Sequence, residues 1–201
     1  VTSLDLSDTA FLSYSEIALF KNLTYLNLSN TNLTRIPNFV FSLTKLEYLH
    51  LNNNQISKIP SKIKALIQLK ELYIYNNQIT ELPTEIGELN NLEVISISKN
   101  KLTSLPSEIS NLKQLHTLHA SFNQLTHLPD TIGELEQLST LHLNSNQLTA
   151  IPKSFDQIKG FNTDTDSKID LSLNTFTDKK TTEEILSIFN LVPDLQFPYF
   201  Q

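Results

Sequence analysis

The tyrosines and histidines are the residues of this chain whose spacing invites a functional reading, because several recur in step. Tyr25 and Tyr48 stand 23 residues apart, as do His50 and Tyr73, and as do His119 and His142; Tyr75 follows Tyr73 by two. A tyrosine offers apolar area and a hydroxyl at little cost in side-chain entropy, so tyrosines concentrate where proteins touch one another. Histidine can ligate a metal or respond to pH. No carboxylate or thiol completes a metal set with His119 and His142, and His116 is out of phase with them, so no metal site is predicted. The run Asn162, Asp164, Asp166 has the alternating oxygens of a calcium loop, but Ser167 stands where the loop needs Gly and Leu173 where it needs Glu. Three glycines leave no phosphate cradle and no nucleophile and base pair is visible, so the chain reads as non-catalytic, with no cofactor.

Composition narrows the partners. The formal net charge of -6 argues against neutralising phosphates, so nucleic acid is not expected as a partner. No apolar run approaches the length a membrane-crossing helix needs, so no membrane partner is expected either. There is no cysteine at all, which favours a reducing compartment or a bacterial source.

The spacing of 23 is a property of the whole chain. From Leu92 the residues read L-x-x-L-x-L-x-x-N-x-L, with Ile95, Ile97, Asn100 and Leu102 at positions 4, 6, 9 and 11. The same frame starts at Leu23, Leu46, Leu69, Leu115 and Leu138, five equal intervals in all. This pattern closely resembles the leucine-rich repeat family, and the resemblance covers nearly the whole chain. Pro37, Pro60, Pro83, Pro106, Pro129 and Pro152 at position 15 give an L-P-x-x-I-x-x-L form that looks like the intracellular 23-residue class of Ras-pathway scaffolds and bacterial, Legionella-type, effectors.

Positions 4 and 6 alternate with polar residues, the period of a short strand with one buried face. The second half of each unit, as in Leu105, Pro106, Ile109, Leu112 and Leu115, is spaced for a helical turn with Pro near its start. One unit cannot bury both stripes, whereas a stack can. The predicted fold class is therefore α/β: a leucine-rich repeat solenoid, a curved horseshoe with a parallel concave sheet, short helices or 3-10 turns on the convex side, and a C-terminal capping helix. Asn54, Asn77, Asn100, Asn123, Asn146 and Asn174 hold position 9; in the family this amide points inward and bonds neighbouring turns, which makes these six a structural ladder. Thr9 and Thr31 replace it early in the chain, and a looser N-terminal end is expected.

Val1, Leu4, Leu6, Thr9 and Phe11 fit the frame, so the chain opens inside a repeat; a fragment or processed form, with a cap or further repeats before Val1, is expected. About eight repeats fill 1–176. Between Asn146 and Asn174 the interval widens to 28, with the insertion carrying Asn162 to Asp166. Thr181 with Glu184 forms a capping box ahead of Ile185, Leu186, Ile188, Phe189 and Val192, so 177–201 is predicted to be a helical cap over the last repeat.

Positions 3, 5 and 7 point outward from each strand, with position 8 beside them. Stacking turns each position into a column. Tyr25, Tyr48, His50, Tyr73 and Tyr75 then form one aromatic and polar patch over repeats two to four, and His119, His142 and Phe122 a second cluster over repeats six and seven. The sequons at Asn22, Asn27 and Asn32 arise where a repeat sets Asn beside Leu-Ser or Leu-Thr. The expected function is a non-catalytic module, a monomer that binds a protein on its concave face, as a bacterial effector acting on a host protein. It would work inside the cell or after secretion into a host. Two alternatives remain: the substrate-recognition arm of a larger enzyme such as a ubiquitin ligase, and an extracellular recognition ectodomain of immune type.

Overall fold

The computed structural model describes residues 1–9, 16–161 and 168–177. Strands β1 (Ser3–Asp5), β2 (Tyr25–Asn27), β3 (Tyr48–His50), β4 (Glu71–Tyr73), β5 (Val94–Ser96), β6 (Thr117–His119), β7 (Thr140–His142) and β8 (Lys168–Asp170) form one sheet in chain order. Every pairing is parallel, and the register advances by one repeat, setting Leu26 beside Leu49, Leu49 beside Leu72 and Leu72 beside Ile95. Each strand is only three residues long because the chain must leave the sheet to build the opposite wall of the core. Its middle residue is fully buried from β2 to β7, while Leu4 and Ile169 at the two ends are partly covered.

On the other side the apolar spacing gives 3-10 segments, not α-helices: Asn38–Ser42, Ser61–Ala65, Thr84–Glu88, Ser107–Asn111, Ile132–Glu134 and Lys153–Gln157. The segment that follows each proline is at most five residues long, too short for a stable α-helix, and the tighter i to i+3 bond closes the turn instead. The proline precedes most segments in extended geometry, with φ of -76° at Pro60 and -66° at Pro152, and so fixes the entry direction. Ile63, Ile86, Ile109 and Ile132 then drop into the core, followed by Leu66, Leu89, Leu112 and Leu135.

Between strand and segment the backbone is held by the asparagine ladder. The Asn77 amide donates to Leu51 O (3.0 Å) and Ile74 O (3.1 Å), and its Oδ1 accepts from the Ile56 amide (2.9 Å). Asn100 repeats this with Ile74, Ile97 and Ile79, and Asn123 with Ile97, Ala120 and Leu102. From Leu51 to Leu143 each position-6 carbonyl thus takes two amides, one from its own repeat and one from the next, using both lone pairs. Thr31, where Asn is absent, sets its hydroxyl within reach of Leu28 O (2.7 Å) and Asn54 Oδ1 (3.2 Å), and its own amide donates to the same Asn54 Oδ1 (3.1 Å).

One residue before the ladder, at position 8, the backbone is left-handed in all eight repeats: Asp8, Asn30, Asn53, Asn76, Lys99, Phe122, Ser145 and Leu173 have φ between 54° and 58°. No glycine takes part in this turn. The glycines serve close approach instead. A Cβ on Gly133 would lie 1.9 Å from Ser154 O, and one on Gly87 2.3 Å from Glu108 O, so neighbouring 3-10 segments touch backbone to backbone there.

Ion pairs run between adjacent repeats: Lys70 with Glu47 (2.7 Å), Lys58 with Glu81 (3.4 Å), Lys64 with Glu88 (3.6 Å), Lys113 with Glu134 (3.3 Å), Lys159 with Glu136 (2.7 Å). The Lys70 ammonium and the Glu136 carboxyl are each held more firmly charged by the hydrogen bond to their partner. No helix among the described residues is long and apolar enough to cross a membrane. The helical cap expected over 177–201, Phe11, and the stretch from Asn162 to Asp166 lie outside the described residues, Thr177 excepted.

Candidate functional site: the concave face

The outward residues of the strands differ between the ends of the sheet and its middle. At the ends, position 5 is satisfied within its own turn. Asp5 Oδ1 accepts from the Ser7 amide (2.9 Å) and hydroxyl (2.7 Å), which holds its carboxyl below the usual range. Asn27 does the same with Ser29 and Asp170 with Ser172. These side chains brace the chain where it leaves the strand.

In the middle, position 5 carries rings. His50 packs between Tyr25 (ring centroids 5.2 Å) and Tyr73 (4.6 Å), both tilted. His119 stacks flat on His142, centroids 4.6 Å and planes 6° apart. The one-repeat register makes this possible, since it aligns His50 with Tyr73 and His119 with His142 on neighbouring strands. Between the two stacks stands Ser96, aligned with Tyr73 on one side and His119 on the other. Among the described residues no ring contact bridges it.

Electrostatics follow from this packing. The Tyr73 hydroxyl donates to Glu71 Oε2 (2.8 Å). Burial, with that bond and the Glu71 charge behind it, pushes the phenol up to about 12. Burial pushes the His50 imidazole down, against the pull of the Glu71 and Asp5 carboxylates. His119 is pushed down by burial and then by His142. Both imidazoles thus favour the neutral ring, which stacks without charge repulsion.

The patch foreseen from the sequence is therefore partly one object. Tyr25, His50 and Tyr73 form a continuous stack; Tyr48 and Tyr75 flank it on the columns at positions 3 and 7, half-buried, and among the described residues nothing bonds their hydroxyls. His119 and His142 are brought together, but Phe122 is set apart from them. It occupies the left-handed turn at position 8, 52% exposed, with Lys99 Nζ 5.9 Å from its ring centroid. His116 lies on the flank at position 2, 4.0 Å from Glu93 and 3.0 Å from the Thr117 hydroxyl. Among the described residues no group of three or more His, Cys, Asp or Glu is placed to hold a metal. Sequence reasoning had not singled out Glu71 or Ser96. Glu71 was findable as the one carboxylate beside tyrosines in the outward columns, whereas Ser96 matters only because of what stands beside it.

An eight-stranded parallel sheet built one strand per repeat, backed by 3-10 turns and sealed by an asparagine ladder, is a leucine-rich repeat solenoid. Family models agree: one for a leucine-rich repeat region matches residues 62–145, one for two copies of the repeat matches 21–64, and one for a single repeat matches 137–158. The chain is a leucine-rich repeat protein. Among solved structures it is similar to a leucine-rich repeat protein of Leptospira interrogans, with 32% identity and a TM-score of 0.73 over 95% of this chain and 53% of that one. It is also similar to the internalin InlF of Listeria monocytogenes, with 25% identity and a TM-score of 0.74 over 98% of this chain and 61% of that one. The fold is shared as well by internalin C2 of the same organism, at 24% identity and a TM-score of 0.70 over 80% of this chain and 68% of that one. The chain thus spans little more than half the length of the first two. No curated protein matches its sequence significantly. Leucine-rich repeat domains generally bind proteins, and typically carry no catalysis of their own.

Proposed function

We propose that the concave face captures a protein partner through Tyr25, Tyr48, His50, Tyr73 and Tyr75, with His119, His142 and the rim residue Phe122 as a second contact. The observation that carries this reading is the contrast along position 5: polar groups satisfied within their own turns in β1, β2 and β8, and half-buried rings in β3, β4, β6 and β7. Rings that are already packed lose little entropy on binding, and the free hydroxyls of Tyr48 and Tyr75 supply directional contacts. The similarity to leucine-rich repeat proteins of Leptospira and Listeria supports a bacterial source, and with it the role of an effector directed at a host protein.

The test is capture from host-cell and bacterial lysates in parallel, with the chain and its Tyr48→Ala/Tyr75→Ala form as paired baits. These two are preferred to Tyr73 because Tyr73 is tied to Glu71 and His50 and its loss would disturb the surface. A host protein retained by the unmutated bait alone, with equal melting temperatures for both baits, is the expected result. Equal capture by both baits would remove the tyrosine patch from the interface.

A further inference from the structure

The two ring stacks on the concave face are one column with a single rung missing. Position 5 reads His50, Tyr73, Ser96, His119, His142 on five successive strands, and where rings are adjacent their centroids lie 4.6 Å apart. Parallel neighbours are about 4.8 Å apart, so the strands of Tyr73 and His119 are separated by about 10 Å. A flat group centred above Ser96 would sit about 5 Å from each ring, the same spacing the column already uses. Ser96 is 6% exposed at the foot of the gap, whereas the same position carries half-buried Tyr73 one strand earlier and His119 one strand later. The Ser96 hydroxyl below the gap and the Ser98 hydroxyl beside it have no hydrogen-bond partner among the described residues.

Charge selects the kind of flat group. Glu71 lies one strand away, its carboxylate on Tyr73, and its field reaches His50. His119 presents a neutral face. The cations closest along the chain are engaged elsewhere: Lys70 on Glu47, and Lys99 over the Phe122 ring. The chain as a whole carries -6. Two aromatic faces, a carboxylate and unpartnered hydroxyl acceptors suit a planar cation with several N–H donors, and a lysine ammonium has no plane to stack.

We propose that the gap over Ser96 receives an arginine of the protein partner, its guanidinium stacked between Tyr73 and His119, with Glu71 as counter-charge and Ser96 and Ser98 as acceptors. This rests on the reading that the concave face binds a protein, and gives that face its most selective contact. It also explains why the ring column is interrupted: the missing rung is supplied from outside.

The test is selection of a random dodecapeptide library on phage against the full chain, followed by titration of the enriched peptides. Peptides sharing an arginine are expected, and replacing it with lysine should weaken binding about tenfold or more, the loss of one desolvated stacked cation. Ser96→Tyr fills the gap with a side chain this column already holds, and should abolish binding while circular dichroism and a cooperative melt show a folded chain; Glu71→Gln, which leaves the buried serine in place, should weaken it. Enriched peptides that share an aromatic residue in place of arginine, undiminished binding to Ser96→Tyr, or no enrichment would each overturn the proposal. Peptides sensitive to Tyr48→Ala/Tyr75→Ala yet indifferent to Ser96→Tyr would refute the arginine site while leaving the tyrosine surface standing. Indifference to both would refute both.

Discussion

The first four repeats and the last four bend the backbone identically with different residues. In the first half the left-handed position is filled by Asp8, Asn30, Asn53 and Asn76, which tolerate it, and Asn76 even donates its side chain to Asn53 (2.8 Å). In the second half it is filled by Lys99, Phe122, Ser145 and Leu173, for which a left-handed φ costs on the order of 1 kcal/mol or more. From Asn53 onward the turn is followed by a ladder amide that imposes it from outside, whereas Asp8 and Asn30, followed by Thr9 and Thr31, adopt it without one. Where the ladder does the holding, the side chain at position 8 is released from serving the turn, and the second half uses that release to expose Phe122 and Leu173. Local preference and tertiary restraint are redundant in one half and opposed in the other.

The sharpest way to break this contrast is to remove the restraint. Asn123→Ala leaves the Leu102 amide without its acceptor and strips one of two donors from the Ile97 and Ala120 carbonyls, a loss on the order of 3 kcal/mol in urea unfolding. Asn77→Ala deletes the same bonds beneath a turn that Asn76 favours unaided, so it should cost less. Equal losses would show that local preference contributes nothing. Next in size, Gly133→Ala and Gly87→Ala should each cost about 2 kcal/mol, because the added methyl meets a carbonyl of the next repeat; here the halves should agree. Thermal melts of the two variants decide it.

A smaller effect comes from exchanging the turn residues. Phe122→Asn should stabilise by up to about 1 kcal/mol, a few degrees in melting temperature, and Asn53→Phe should destabilise by a similar amount. A destabilised Phe122→Asn would mean that the ring's contact with Lys99 outweighs the strain. Smallest is the pH effect, which both halves share through His50 and His119. Their folded values lie below the ordinary 6.5, so the unfolded chain binds more protons than the folded chain below that pH. Their contribution is therefore complete above about pH 6.5 and is lost as pH falls through the folded values. A melting temperature that declines from about pH 7 to pH 5, with a shallower decline in His119→Gln, is expected.

The period, the leucine core and the amide ladder were legible because each is set by residue type at fixed spacing, and Asn77 or Leu72 has one role whatever surrounds it. The columns of Tyr25, His50 and Tyr73 were legible for the same reason, since register follows from the repeat. Phe122 was grouped with His119 because position 8 was expected to flank the outward columns; the left-handed turn that carries it off the strand leaves no mark in Lys99, Phe122 or Leu173 themselves. Among the first four repeats the Asp and Asn at position 8 are residue types that favour that turn and could have signalled it. Ser96 was unreadable in isolation, because its significance is the absence of a ring between two others.

The exposed ion pairs between adjacent repeats have a consequence beyond their small energies. A solenoid whose cross-sections are all lined with leucine has no hydrophobic means of telling its neighbour from the turn after, and skipped or swapped turns are a characteristic folding error of such chains. Glu47, Lys70, Glu93 and His116 follow one another along a single edge, so a turn displaced by one place would set like charges or a missing partner side by side. The charges act as page numbers: they bind nothing tightly, and they keep identical leaves in order.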